Sequence, residues 1–250
     1  MAATVVIPAR FGSTRFPAKI LAADTGMPLV QHVVERVRAC ARVRQVIVAT
    51  DDERIVAALR PFGTRCVMTD PGHPSGTDRV AEVAAGLSDE IIINVQGDEP
   101  EIDPGVIDTL AYLMEDEAGS PGAYEMWTAA TLFKPPADPG NPNLVKVAFT
   151  RASRAMYFSR SKIPFCRDPS SSAQPAYYLH VGIYAYRRDT LLRLAGWKPT
   201  PCEVAEKLEQ LRALEHDVPI GITVIDHPTN GIDTPEQYAE FVGRFKRRRS

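Results

Sequence analysis

The chain has 250 residues with 29 basic and 31 acidic side chains, a formal net charge of −2, which argues against general nucleic-acid affinity because neutralising phosphate needs a basic surface. No apolar run approaches the ~18–20 residues of a membrane span, and MAATVVIPAR lacks the basic and apolar regions of a secretory signal. Four cysteines without CxxC spacing and five scattered histidines without HExxH exclude a disulfide scaffold and the common helical zinc hydrolases, so reduced thiols and a cytoplasmic location are expected.

Short β-branched runs alternate with helical spacing, the pattern of an α/β protein with a largely parallel sheet. Thr4-Val5-Val6-Ile7 predicts a strand stopped by Pro8, and apolar residues at 29, 30, 33, 34 and 37 predict an amphipathic helix. Strands are expected at 45–50, 65–69 and 90–95, with Asp51 or Asp52 capping the helix after the first of these. Further strands are expected at 126–133, 144–150 and 177–186, the first two bracketing the Pro-rich KPPADPGNPN. The stretch 168–176, DPSSSAQPA, has little to bury and reads as a flexible loop. Helices are expected at 203–215 and 235–245, the latter with Thr234 as N-cap and Pro235 in its first turn. Lys246-Arg247-Arg248-Arg249 reads as a solvated tail. With no repeat and no linker, a single domain over 1–250 is expected.

Chemistry concentrates in four places. Between the first strand and the next helical region, Pro8 to Lys19 carries Arg10, Arg15 and Lys19 with Gly12, Ser13 and Thr14. Such a loop can offer backbone N–H groups and cations to an anion such as a triphosphate, although a solvated basic loop has the same composition. It has neither the P-loop GK[ST] nor the GxGxxG dinucleotide turn. Second, Gln96-Gly97-Asp98-Glu99 follows a buried strand, where a carboxylate needs a cation or metal, and Asp98 suits Mg²⁺. Third, Asp233 precedes a helix start, where it is either a cap or a second metal ligand. Fourth, in Ser75-Gly76-Thr77-Asp78-Arg79 the hydroxyls and glycine suit a base or ribose, and the same residues make a good helix start. Arg160 can fork onto a carboxylate; His180 alone reads as a core histidine, and Glu209 and Gln210 as an exposed helix face.

Taken together, IPARFGSTRFPAKIL, SGTDRVAEV, NVQGDEP, NPNLVKV, YFSRSKIPF, HVGIYAYR, KLEQLRAL and GIDTPEQ, in order from residue 4 to about 240, resemble the 3-deoxy-manno-octulosonate (Kdo) cytidylyltransferases. The resemblance implies a Rossmann-like nucleotidyltransferase fold with a mixed, mostly parallel central sheet, a homodimer, Mg²⁺ as cofactor, and the conversion of CTP and Kdo to CMP-Kdo and pyrophosphate by in-line attack on the α-phosphorus. It implies no nucleic-acid partner and no membrane insertion, and a role in supplying activated Kdo for lipopolysaccharide or a related surface glycan. By the same resemblance, Arg10, Ser13, Arg15 and Lys19 hold the CTP phosphates, and Ser75, Gly76, Thr77 and Arg79 frame cytosine and ribose. Asp98 and Asp233 ligate the metal and, with Arg10 and Lys19, form the catalytic set. Gln96, Arg160, His180, Tyr184, Glu209 and Gln210 line the sugar-acid pocket. The chain departs from common family residues at Phe16, Ala18, Ile20 and Cys202, where leucine, glycine, proline and leucine are frequent. The alternatives are the same chemistry on 8-amino-Kdo or another 2-keto sugar acid, and a catalytically silent nucleotide-binding protein.

Overall fold

The computed structural model describes residues 3–12, 15–116, 123–168, 170, 175–226 and 231–248. From the N-terminus, β1 (Ala3–Ala9) leads through a 3-10 turn (Lys19–Leu21) to α1 (Leu29–Arg38), β2 (Val43–Thr50), α2 (Glu53–Leu59), β3 (Cys66–Met68), α3 (Gly76–Ala85), β4 (Ile91–Asn94) and α4 (Pro104–Asp116). There follow β5 (Met126–Leu132), β6 (Lys146–Phe149), β7 (Ala155–Ser159), β8 (Tyr178–Arg187), α5 (Arg188–Gly196), α6 (Pro201–Glu206), α7 (Gln210–Glu215), β9 (Ile220–Val224) and α8 (Pro235–Arg247). The chain groups into two compact units, Met1–Tyr112 with Thr229–Ser250, and Leu113–Pro228. The boundary at Tyr112 falls inside α4, so no linker composition marks it in the sequence. Most of 168–176 lies outside the described residues.

In the first unit the strands are parallel in the order β3-β2-β1-β4. Val5, Val6, Ile7, Ile91, Ile92 and Ile93 have no exposed surface, which is why these strands read as continuous apolar runs rather than alternating ones. The predicted stop at Pro8 does not occur, and β1 runs through Pro8, paired with Ala49, to Ala9. The reason is directional. The Val6 carbonyl accepts from Val95 N on the β4 side, and residues of the same parity face the same neighbour, so Pro8 also faces β4. Since β4 ends at Asn94, level with Val6, the missing N–H of Pro8 removes no ladder bond.

The predicted cap of α2 is confirmed at Asp52, which accepts from Arg54 N at 2.9 Å. Thr234 caps α8 in a full capping box with Gln237, so Asp233 is not the cap. Of the basic cluster, Lys246, Arg247 and Arg248 are exposed, as expected, but the first two are helical, and Arg249 lies outside the described residues. Lys246 and Arg247 form the last turn of α8, where cations complement the helix dipole, and Arg248 pairs with Glu101 at 3.4 Å. Tyr238 and Phe241 pack α8 on Leu29 and Ile232, while Asp24 N donates to the Tyr238 hydroxyl at 2.8 Å.

In the second unit β5 pairs antiparallel with β8 and parallel with β9, while β6 pairs antiparallel with β7. Lys146 is fully buried, and its ammonium donates to the carbonyls of Asn141 (2.9 Å), Leu144 (2.6 Å) and Arg160 (2.5 Å). The predicted helix over 203–215 is two helices, because Lys207 takes the left-handed conformation (φ 55°) between α6 and α7. The Arg160 guanidinium donates to the Glu206 carbonyl (2.7 Å) and the Lys207 carbonyl (3.4 Å), so a distant side chain satisfies the orphan end of α6.

Gly221 faces the Trp127 indole, and a β-carbon there would lie 2.4 Å from Cδ2. Gly221→Ala is therefore expected to lower stability by about 3 kcal/mol, read as a shift of the urea midpoint with the slope unchanged.

Candidate active site

Beyond the carboxyl ends of β1 and β4, where ligands of parallel α/β sheets bind, the first unit holds a cavity of 310 Å³ lined by Pro8, Arg10, Gly12, Arg15, Lys19, Ile20, Gln96, Gly97, Asp98 and Asp233. Lys19 is its centre. This side chain is 9% exposed, and its Nζ donates to Asp98 Oδ2 at 2.7 Å and to Asp233 Oδ1 at 3.2 Å. Arg15 Nη2 stands 3.1 Å from the same Asp233 oxygen. Arg10 is exposed at the rim, and Ser13 lies outside the described residues.

Each carboxylate has a local reason to be there. A β-carbon on Gly97 would meet Pro8 O at 3.1 Å, so the absence of a side chain lets the 96–99 turn close against β1 and aim Asp98 into the cavity. Asp233 arrives from far along the chain because α8 is anchored in the core and Ile232 N donates to the Asp98 carbonyl at 2.9 Å. The convergence of Asp98 and Asp233, which sequence spacing alone left open, is thus a feature of the structure. Among the described residues no three His, Cys, Asp or Glu side chains gather as a ready-made metal centre. The two carboxylate oxygens nonetheless share one cation, and they lie no farther apart than the sum of their distances to Nζ. Carboxylate oxygens are the donors a hard divalent ion takes, its remaining ligands being phosphate oxygens and water.

The other nucleotide candidates sit beside this cavity rather than among its lining residues. Ser75 is the α3 N-cap, accepting from Asp78 N at 3.2 Å and donating to Asp78 Oδ2 at 2.6 Å; the helix-start reading is therefore correct. Gly76 approaches Pro8, with 3.4 Å left between a would-be β-carbon and the ring, and Thr77 follows in the first turn of α3. Arg79 is buried and bound to Asp51 (2.8 Å) and to the Thr69 hydroxyl, tying α3 to the ends of β2 and β3.

Of the sugar-acid candidates, Gln96 lines the cavity and the rest belong to the second unit. The Arg160 fork is turned onto the backbone, with Pro142 O (3.1 Å) joining the two carbonyls already named. Glu206, which the sequence placed in a candidate segment without a role of its own, aligns this segment by accepting from Ser159 Oγ (2.6 Å) and Arg160 N (2.9 Å). His180 packs against the Phe158 and Tyr184 rings, with centroids at 5.0 and 5.4 Å. Burial pushes its imidazole down to about 3, so it is neutral near pH 7. Burial, with Tyr186 and the Glu209 carboxylate adding to it, pushes the Tyr184 phenol well above its ordinary range. Glu209 is exposed at the start of α7, whereas Gln210 is buried and its Nε2 has no hydrogen-bond partner among the described residues. A buried amide without an acceptor is costly unless a ligand supplies one, so Gln210 is not the solvent-facing residue that helix periodicity suggests.

Residues 4–220 match the family model for cytidylyltransferases. The chain is 48% identical to the 3-deoxy-manno-octulosonate cytidylyltransferase of Geotalea daltonii, the alignment covering 99% of this chain and 100% of that one. The chain belongs to the 3-deoxy-manno-octulosonate cytidylyltransferase family. The Geobacter sulfurreducens enzyme of the same name is 46% identical, with 97% of this chain and 99% of the relative covered. The solved structure of a CMP:2-keto-3-deoxy-manno-octonic acid synthetase complexed with CTP matches with a TM-score of 0.92 at 38% identity, covering 99% of this chain and 100% of that one. A cytidylyltransferase from Leptospira borgpetersenii, at 17% identity and a TM-score of 0.65, shares the fold. The Rossmann-like nucleotidyltransferase fold with a mixed, mostly parallel sheet is therefore as the sequence implied.

Two substitutions test the site's construction. Lys19→Met leaves two carboxylates facing one another and is expected to lower stability by about 1–2 kcal/mol, less than for a fully buried pair because Asp98 and Asp233 are 28% and 42% exposed. Ala18 adopts the left-handed region (φ 55°) immediately before Lys19. Ala18→Gly is expected to raise stability by about 0.5–1 kcal/mol in denaturant titration, relief of the strained φ outweighing the added freedom of the unfolded chain.

Proposed function

We propose that the protein transfers the cytidylyl group of CTP to Kdo, with Mg²⁺ as cofactor. The Kdo anomeric oxygen forms a bond to the α-phosphorus and loses its proton, while the bond from that phosphorus to the bridging oxygen breaks and pyrophosphate leaves. The observation that carries the reading is the meeting of Lys19, Asp98 and Asp233 in a cavity that Arg10 and Arg15 also line.

Charge supports the metal. Three cations against two carboxylates leave one positive charge around the cavity, whereas a triphosphate carries about four negative charges. Asp98 and Asp233 would hold a Mg²⁺ that stabilises charge developing on the phosphorus oxygens. Lys19, Arg10 and Arg15 offset the charge gathering on departing pyrophosphate. In the second unit, neutral His180 and Tyr184 offer hydrogen bonds without net charge, and Gln210 Nε2 offers a buried donor; both suit a polyhydroxylated sugar acid. Action as a homodimer in the cytoplasm, feeding lipopolysaccharide or a related surface glycan, completes the proposal. The free thiols of Cys40, Cys66, Cys166 and Cys202 suit a reducing compartment, and no described helix is long and apolar enough to cross a membrane.

Pyrophosphate release from CTP, followed in parallel with Kdo, 8-amino-Kdo and N-acetylneuraminate, tests the substrate; release mainly with Kdo is expected, and release mainly with another acid overturns that assignment. Asp98→Asn should lose at least about 100-fold in kcat while CTP affinity changes only a few-fold. Independently of turnover, Mg²⁺ should restore more stability to Lys19→Met than it adds to the unmodified protein, since the ion replaces the missing ammonium. Equal thermal shifts in the two proteins would rule out this carboxylate pair as the metal site.

A further inference from the structure

The β5–β8 ladder slips between Thr128, opposite Tyr184, and Ala129, opposite Val181. β8 thus carries two additional residues, Gly182 and Ile183, across the step from Thr128 to Ala129, the irregularity that a bulge produces. At this bulge lies the hydroxyl of Thr128, a fully buried residue. Thr128 Oγ1 lies 2.7 Å from the Ile183 carbonyl and 3.1 Å from the Val181 carbonyl. Both carbonyls can only accept, so the single hydroxyl proton is committed to them. The same oxygen is 3.1 Å from His180 Nε2. A lone pair on each side of that contact would repel, so Nε2 must carry the proton and donate to the hydroxyl.

We infer that Thr128 is a positioning residue that fixes His180 as the Nε2–H tautomer, so that Nδ1 is presented as a hydrogen-bond acceptor to a hydroxyl of the sugar acid. Among the described residues Nδ1 has no donor, and His180 keeps some solvent-exposed surface. Contacts with the Phe158 and Tyr184 rings restrict rotation of the imidazole. A neutral ring has one proton to place, and the bulge carbonyls decide through Thr128 which nitrogen receives it. The substrate half of this inference rests on the proposed Kdo chemistry; the tautomer half does not.

Nitrogen-15 NMR of the histidine side chains, with His180 assigned by its disappearance in His180→Gln, reads the tautomer directly. The unmodified protein is expected to show Nε2–H at His180, and Thr128→Val, nearly isosteric but without the hydroxyl, a mixture of the two tautomers. The KM for Kdo should rise about tenfold in Thr128→Val, the equivalent of one lost hydrogen bond, with the KM for CTP unchanged. Thr128→Ser, which keeps the hydroxyl, should return both the tautomer and the Kdo KM to near their original values, and serves if the valine variant does not fold. An Nδ1–H tautomer in the unmodified protein, or an unmoved tautomer in Thr128→Val, overturns the inference. A shifted tautomer with an unchanged Kdo KM overturns its substrate half alone and takes His180 out of the sugar pocket.

Discussion

One ammonium group organises the first unit's cavity. Lys19 Nζ bonds to two carboxylates from segments far apart in sequence, Asp98 after β4 and Asp233 before α8. Two carboxylates do not share a confined space without a cation between them, and nearly everything around the cavity serves to hold the three groups together. Gly97 admits the Asp98 turn against β1, the α8 capping box fixes the backbone at Asp233, and Ile232 N closes the ring by bonding to the Asp98 carbonyl. The arrangement balances charge around the cavity and brings two carboxylates from distant segments onto one ammonium.

The second unit solves a different problem with similar economy. It ties polar side chains to backbone carbonyls: buried Lys146 to three of them, half-buried Arg160 to the end of α6, buried Thr128 to the bulge in β8. Each bond restrains a side chain and gives its polar atom a partner inside the protein. Of the residues attributed to sugar-acid recognition, His180 is set in this framework through Thr128, and Gln210 is buried rather than on a mobile surface chain.

Much of this was legible in the sequence because it depends on neighbours along the chain. The apolar runs of β1 and β4, the spacing of α1 and the caps at Asp52, Ser75 and Thr234 follow from local periodicity and turn chemistry. The carboxylates and cations of the cavity were legible because a charged residue at the end of a buried strand needs a reason to be there. What local pattern could not convey was set by distant partners. Pro8 stays in a strand because β4 happens to end opposite Val6. The break at Lys207 depends on Arg160, and the two carboxylates meet only once α8 has packed. Thr128 carried no signal, since a threonine in a strand is ordinary until the register slip beside it is known.

The contact between Ile232 and Asp98 also bears on how the molecule comes into being. Asp98 leaves the ribosome well before Asp233, and at ordinary elongation rates of roughly 5–20 residues per second the interval is on the order of ten seconds. During that time the nascent chain can form β1 to β4, but Lys19 has only one of its two anionic partners and the α1 surface lacks α8. The cavity is therefore completed late in synthesis, and a chain interrupted within residues 113–228 would carry the cavity's cations without the second carboxylate.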